Sequence, residues 1–202
     1  MDKKNHRNIF WCKNCLNTST RPRITFDQRG FCNACQWAEE KKNVNWIKRQ
    51  KLLKKFKKNK SFYDCIVPVS GGKDGSYVSY TLKNKFNLNP LCVTIRPPLE
   101  INLGKENLQN FINSGYDHIH ISPNKRVMHE LDRYGFKYKG FPYYGWLISV
   151  CSGILRTAVS FGINLIVYGE DGEVEYGGSV KIKNKPFFDV KHEKKIYLEG
   201  GY

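Results

Sequence analysis

The chain has 202 residues, an apolar fraction of 40% and a net charge of +16. This length allows one medium-sized domain with a small appendage, and the apolar fraction argues against bulk disorder. No apolar run reaches the roughly 18 residues that a membrane span needs, and the N-terminus has no apolar core of signal-peptide length, so we expect a cytoplasmic protein without a membrane span.

The positive charge is concentrated near the N-terminus. Residues 1–60 hold 17 Lys/Arg against 4 Asp/Glu, a net of +13, whereas the remaining 142 residues have a net charge of +3. Such a segment is typical of a solvated helix face, but it also suits contact with RNA, another anionic partner or a membrane surface. The charge alone does not choose among these interpretations.

Four cysteines form two matched pairs, Cys12-x-x-Cys15 and Cys32-x-x-Cys35, separated by sixteen residues. This spacing is typical of a four-cysteine zinc site, in which the metal supplies folding energy to a unit with little core. An iron–sulfur site or redox thiols are the alternatives, and two matched pairs favour structural Zn²⁺ over both. The other three cysteines lie singly in apolar surroundings and are predicted to be buried thiols: Cys65, Cys92 and Cys151.

The pattern along the chain predicts three parts. Residues 1–36 form the zinc-knuckle unit, residues 37–60 a basic helical linker broken near residues 43–45, and residues 61–202 an α/β domain. In that domain the predicted strands are "DCIVPV", "PLCVTIR", "DHIHIS" and "INLIVYG", and the predicted helices are "GSYVSYTLKNKF", "GKENLQNFINSG" and "WLISVCSGILRTAVSFG". This alternation predicts a mostly parallel sheet with helices on both faces. Ligands of such sheets bind beyond the carboxyl ends of the strands.

The loop Ser70-Gly71-Gly72-Lys73-Asp74 follows the first predicted strand and leads into a helix. Glycines let backbone N–H groups approach an anion closely, and the start of a helix adds positive potential. The spacing differs from that of the P-loop of kinases and GTPases. A simple tight turn is the alternative, and the position between strand and helix favours an anion site.

An acidic loop, "YGEDGEVEYGG", follows the fourth predicted strand. Its four carboxylates, from Glu170, Asp171, Glu173 and Glu175, lie at the edge of the sheet where a ligand is expected. They suit Mg²⁺ or a polar substrate, or else form an exposed acidic loop. For His118 and His120, which alternate on the third strand, a core or surface role is favoured over catalysis.

Several motifs together resemble one known family. The stretch "VSGGKDGS" is similar to the pyrophosphate loop of the ATP pyrophosphatase (PP-loop) superfamily. Together with "CKNC…RPRITFDQRGFCNAC", "NPLCVTIRPP", "NLGKENLQNFINSGYDHI" and "YGEDGEVEYGG" it resembles the N-acetyl sugar amidotransferases of surface-polysaccharide (lipopolysaccharide) synthesis. The similarity runs from about Cys12 to Gly178. It implies an adenine nucleotide alpha hydrolase-like α/β fold.

The resemblance also implies an activity. A ligase of this family uses ATP to adenylate the acetamido oxygen of an N-acetyl sugar, and ammonia then gives an acetamidino group. The ammonia is implied to come from a partner glutaminase acting with a cyclase-like protein, and nucleic acid is a less favoured partner. The chain is shorter than the family implies, so we expect the α/β domain to be incomplete at its C-terminus.

The resemblance implies residue roles as well. The pyrophosphate of ATP is expected at Ser70, Gly71, Gly72, Lys73, Asp74 and Ser76, and adenosine at the end of the second strand, which includes Thr94. Catalytic roles are expected for Lys73, Asp74, Glu170 and Glu173, with Mg²⁺ bound nearby. Gly75 stands where the family pattern has a hydroxyl residue, so we expect weakened ATP handling.

Two alternatives stay open. One is a tRNA-thiolating enzyme of the same superfamily, which would use the basic N-terminal segment for RNA. The isolated positions of Cys65, Cys92 and Cys151 count against it, because such enzymes commonly carry sulfur on a cysteine pair. The other is an ATP-binding protein without activity.

Overall fold

The computed structural model describes residues 8–53, 55, 57, 61–172, 174–183, 185 and 189–195. The chain divides into two compact units: one joins Met1–Asn45 with Glu170–Tyr202, and the other is Trp46–Gly169. The chain beyond Gly169 is therefore grouped with the cysteine-rich unit, whereas the sequence prediction placed it in the α/β domain.

The larger unit contains a small parallel sheet. Its strands are β1 (Cys65–Pro68), β2 (Pro90–Ile95) and β3 (His118–Ile121), in the order β1-β2-β3. The fourth predicted strand is reduced to one parallel bridge, in which Ile66 pairs with Ile166. The Ile66 N–H donates to Leu165 O and its carbonyl accepts from Val167 N, each at 2.9 Å. This segment thus lies beside β1 on the side opposite β2.

Helices cover both faces of this sheet, as the alternation predicted. They are α2 (Trp46–Leu53), α3 (Lys73–Asn84), α4 (Asn102–Asn113), α5 (Lys125–Lys139) and α6 (Tyr144–Ser160). One face packs Val67 and Cys92 against residues of α3 and α4, among them Leu82 and Phe111. The other face packs β-strand residues against Ile154 of α6, and α5 lies against α6.

Helix α5 was not among the predicted elements. It begins after Asn124, whose side-chain oxygen accepts from Arg126 N and Val127 N. It ends at Gly140, which has the left-handed φ of 64°. Both are ordinary capping features, so the ends of the helix were encoded locally.

The smaller unit is built around the cysteines. Helix α1 (Asn33–Lys42) begins inside the second cysteine pair, and the predicted break at residues 43–45 separates it from α2. After Glu170 the described chain includes a 3₁₀ turn (Val180–Ile182) and the short helix α7 (Val190–Glu193). Among the described residues, no helix has the length and apolar character needed to cross a bilayer.

Contacts within the smaller unit join its two chain segments. The Asn33 side chain donates to Gly178 O at 2.7 Å, and Lys41 pairs with Glu175 at 2.7 Å. Asn33 is buried, so its amide stabilises the junction by satisfying a carbonyl that is withdrawn from water.

Candidate functional site

The four predicted metal ligands come together in the smaller unit. The Sγ atoms of Cys12, Cys15, Cys32 and Cys35 all lie within 4.8 Å of one another. The Cys12–Cys35 sulfurs are 3.9 Å apart and the Cys15–Cys32 sulfurs 3.6 Å. Four sulfurs bound tetrahedrally to zinc at about 2.3 Å lie about 3.8 Å apart, whereas a disulfide needs about 2.05 Å. The donor set therefore fits a tetrahedral metal ion such as Zn²⁺.

Backbone amides surround these sulfurs. Cys12 Sγ accepts from Cys32 N at 3.2 Å and Asn14 N at 3.4 Å, and Cys15 Sγ accepts from Asn17 N at 3.5 Å. Burial raises the pKa of Cys12, but these amides outweigh it and bring its pKa to about 6. Burial raises the pKa of Cys35 to about 12. Thiolate is the metal-binding form, so the amides favour ligation at Cys12.

The second candidate site is the loop between β1 and α3. Gly71 has a φ of 80°, and a Cβ there would lie 2.5 Å from Leu108 N and 2.7 Å from Leu108 Cα. Only glycine fits this position, because the loop backbone is pressed against the backbone of α4 and takes a left-handed conformation. The loop lies at the carboxyl end of β1, which runs between β2 and the bridged segment 165–167. From this end of β1 the chain passes through α3 to β2 on one side, whereas the bridged segment on the other side is reached from β3 through α5 and α6. Open α/β sheets bind ligands where the strand order reverses in this way.

The start of α3 presents backbone and side-chain groups to this end of the sheet. Its N-cap residue, Gly72, has no side chain and supplies no cap hydrogen bond to the helix, and backbone amides at the start of a helix are a common anion site. Lys73 Nζ pairs with the exposed Asp74 carboxylate at 2.8 Å. Ser76 donates its hydroxyl to Gly72 O at 2.8 Å, and Ser70 Oγ lies 3.4 Å from Gly72 N. The six predicted pyrophosphate residues therefore lie close together in this loop and the first turn of α3, and four of them are exposed: Ser70, Gly72, Lys73 and Asp74.

The structure explains why glycine stands at position 75, where the pyrophosphate-loop pattern that the sequence resembles has a hydroxyl residue. A Cβ at this position would lie 2.9 Å from Pro68 O and 3.2 Å from Val69 Cα. These are backbone atoms of the last residue of β1 and of the residue after it, and they cannot turn aside as a flexible side chain does. A hydroxyl residue at 75 would therefore push the start of α3 away from the strand.

The chain returns to this loop before it enters the smaller unit. A Cβ at Gly169 would lie 3.0 Å from Asp74 Cβ and 3.3 Å from Gly75 N. The close approach places the end of the bridged segment beside the first turn of α3.

The acidic side chains that follow are used in different ways. Glu170 accepts a hydrogen bond from the Tyr176 hydroxyl at 3.3 Å, Asp171 accepts from Val174 N at 3.2 Å, and Glu175 pairs with Lys41. Glu173 lies outside the described residues. Within the described part of the chain, only the cysteines form a group of metal-ligating side chains.

Thr94, the residue expected to meet adenosine, is buried. Its hydroxyl donates to Val69 O at 2.7 Å and lies 2.8 Å from His118 Nε2. Burial and the neighbouring His120 lower the pKa of His118, which favours the neutral form of its imidazole. The sequence predicted a core or surface role for His118, and no sequence pattern indicated its hydrogen bond with Thr94.

Two further cysteines lie in the core of the sheet. Cys65 and Cys92 are completely buried, and burial raises the pKa of Cys65 to about 12 and that of Cys92 to about 11. Burial and the raised pKa therefore favour the protonated thiol at both positions at neutral pH. They pack as small apolar groups, so the prediction of buried thiols is confirmed for these two. It is wrong for Cys151, which lies on α6 and is only partly buried.

The chain is similar to known proteins over only part of its length. No protein-family model matches the chain. The uncharacterized protein MJ1599 of Methanocaldococcus jannaschii is 33% identical over 106 residues, which are 50% of this chain and 37% of that protein. The chain thus spans little more than a third of the length of this relative.

One solved structure is similar in part. It is described as a predicted subunit of tRNA methyltransferase from Methanocaldococcus jannaschii, with a TM-score of 0.39 and 17% identity. The match covers 67% of this chain and 62% of that chain. At this level the likeness defines neither the fold nor the function of the present chain.

Proposed function

We propose that the chain is an ATP-dependent, AMP- and pyrophosphate-forming N-acetyl sugar amidotransferase. One observation carries the nucleotide part of this proposal. The Ser70–Asp74 turn joins the carboxyl end of β1 to a helix whose N-cap, Gly72, has no side chain, and Gly71 has room for none. Exposed amides at a helix start are a common phosphate site.

In this proposal the loop holds the pyrophosphate part of ATP. The amides of the turn and the hydroxyls of Ser70 and Ser76 donate to phosphate oxygens, and Lys73 exchanges its pairing with Asp74 for a phosphate. Negative charge builds on the departing pyrophosphate, so donors fixed in advance stabilise the transition state more than the ground state. Mg²⁺ would supply positive charge that neutralises part of this negative charge, and Asp74 is the carboxylate of the loop that would hold the ion.

The acceptor chemistry follows from the weakness of an amide as an electrophile. Transfer of AMP to the acetamido oxygen turns that oxygen into a leaving group. Attack by ammonia at the same carbon then expels AMP and leaves an amidine. Glu170 and Glu173 are proposed to orient the sugar or the ammonia. The sugar, the partner glutaminase and the cyclase-like protein rest on the resemblance of the sequence motifs.

The described cysteines favour this proposal over a tRNA-thiolating enzyme that carries sulfur on a cysteine. An enzyme that carries sulfur on a cysteine needs an accessible thiolate near its nucleotide. Cys65 and Cys92 are fully buried with raised pKa values, and the four N-terminal cysteines form the metal-ligand set. Cys151 remains as a single partly exposed thiol, so a cysteine pair for sulfur transfer is not available.

The direct test is a reaction with ATP, Mg²⁺, ammonia and a panel of acetamido sugars. We expect AMP and pyrophosphate in equal amounts, together with an amidine product in which NH replaces the carbonyl oxygen, identified by mass spectrometry. AMP formation that requires tRNA and a sulfur donor, with none on any sugar, would contradict the proposal.

A pair of lysine variants tests the place of the nucleotide. Lys73→Ala removes the loop cation, and Lys85→Ala removes an exposed cation just beyond the other end of α3. We expect the first change to weaken ATP binding by about tenfold or more, since hydrogen bonds to charged groups are worth roughly 1.5–3 kcal/mol. The second should leave binding unchanged. Equal effects of the two changes would mean that only the overall charge matters.

A further inference from the structure

A chain of hydrogen bonds runs across the sheet to the residue before the loop Ser70–Asp74, which we call the anion loop. It runs from His118 on β3 to Thr94 on β2 and on to the carbonyl of Val69, the residue that follows β1. The His118 Nε2 to Thr94 Oγ1 distance is 2.8 Å and the Thr94 Oγ1 to Val69 O distance is 2.7 Å. Thr94 is only 5% exposed, so water does not compete for its hydroxyl.

The direction of each bond in this chain is fixed. A carbonyl cannot donate, so the single hydroxyl proton of Thr94 goes to Val69 O. The hydroxyl oxygen therefore accepts from His118, which must carry its proton on Nε2. Neutral His118 then has a defined tautomer, with Nδ1 as the unprotonated nitrogen.

The carbonyl at the end of this chain belongs to the first peptide of the loop. Val69 C=O and Ser70 N–H share one planar trans peptide unit and point in opposite directions. Holding the carbonyl therefore also sets the direction of the Ser70 amide. The start of α3 rests on the same part of the chain, because Gly75 approaches Pro68 O and Val69 Cα.

We propose that Thr94 and His118 are positioning residues that aim the Ser70 amide of the anion loop. Thr94 then acts through the loop backbone and not by contact with adenosine. The inference deepens the proposed function, because the aimed amide is one of the donors to the pyrophosphate. Its effect on the Ser70 peptide itself does not depend on which anion binds.

The test compares three variants of the whole chain. Thr94→Val removes the hydroxyl while keeping the shape, and Thr94→Ser keeps the hydroxyl. Thr157→Val is the matched control, because Thr157 is 7% exposed and donates only within its own helix, to Gly153 O at 2.9 Å. The readouts are the NMR shifts of the Ser70 amide, the ¹⁵N shifts of the His118 ring, and titrations with pyrophosphate and with Mg-ATP.

We expect Thr94→Val to move the Ser70 amide resonance, to change the His118 ring shifts and to weaken both ligands at least fivefold. Thr94→Ser should restore all of these, and Thr157→Val should leave them unchanged even if it lowers the melting temperature equally. A Ser70 amide that does not move in Thr94→Val overturns the positioning role. If the amide moves but the unaltered chain binds neither ligand, the proposed function fails and the positioning of the peptide stands.

Discussion

Two glycines occupy the same place in two helices but meet different surroundings. Gly75 and Gly104 are each the third residue of their helix, α3 and α4. A Cβ at Gly75 would collide with Pro68 O at 2.9 Å, whereas a Cβ at Gly104 would lie 3.6 Å from Ile101 Cγ1, an ordinary contact. The same substitution should therefore have opposite effects at the two positions.

We predict that Gly75→Ala lowers the free energy of unfolding by about 1–3 kcal/mol, the usual cost of an overpacked site. Gly104→Ala should raise it by about 0.4–1 kcal/mol, because alanine restricts the unfolded chain and favours the helix. Denaturant unfolding of the two variants beside the unaltered chain measures both. Equal effects would show that the start of α3 can move away from β1 at no cost.

The same contact changes the meaning of Gly75 in the sequence. By sequence pattern alone, Gly75 replaces a hydroxyl residue, and restoring a hydroxyl residue at this position would be expected to improve ATP handling. The structure gives a reason for glycine here that lies in β1, several residues earlier in the chain. No periodicity or motif contains that information, because it depends on how closely the strand and the helix approach.

At the scale of elements, the sequence was most informative where apolar runs are long. The strands β1, β2 and β3, the parallel pairing and the helices α3, α4 and α6 lie where the alternation predicted them. The fourth strand was predicted as a full strand and is a single bridge at Ile166. The run "INLIVYG" has the composition of a strand, but only three of its residues take part in the pairing.

Helix α5 shows why one element was not predicted. Its buried residues are Met128 and Gly135, and a Cβ at Gly135 would lie 2.2 Å from Tyr144 Cβ. Because Gly135 has no side chain, it adds no apolar residue to the helical repeat of the sequence. The apolar group at this contact is the side chain of Tyr144 on α6. Only the caps Asn124 and Gly140 signalled the helix locally.

The Asn124 cap can be tested directly. Its side chain accepts from Arg126 N at 3.0 Å and Val127 N at 3.2 Å. Asn124→Ala should therefore lower the free energy of unfolding by about 1 kcal/mol, within the usual range for a lost cap. Asn84→Ala, in the last turn of α3, is the control and should be neutral or slightly stabilising, because alanine is the better helix former. Thermal or denaturant unfolding checks both, and a neutral Asn124→Ala would contradict the capping role.

At the scale of the molecule, the metal site was predicted from spacing, but its surroundings were not. The spacing of the cysteines predicted the four metal ligands, and the sulfur–sulfur distances of 3.6 Å and 3.9 Å agree with tetrahedral coordination of one metal ion. What spacing could not show is that the distant segment after Glu170 packs with the cysteine-rich unit. That contact depends on single polar groups, such as the amide of Asn33 on Gly178 O, which leave no periodic signal.

This arrangement makes metal removal a test of how the chain holds together. The cysteine cluster has few apolar neighbours, so a bound metal should supply much of the stability of its unit. Asn33, which follows Cys32 directly, and Lys41 hold residues 175–178. We predict that a zinc chelator speeds amide hydrogen exchange in residues 10–35 and also in residues 174–181.

The strands β1–β3 are the internal control for this experiment. Their apolar clusters contain none of the four ligands, so their amide protection should stay the same after chelation. Metal analysis of the untreated protein should give one zinc per chain, and Cys12→Ser should reproduce the effect of the chelator without it. Loss of protection in residues 10–35 alone would mean that the segment after Glu170 is held independently of the metal.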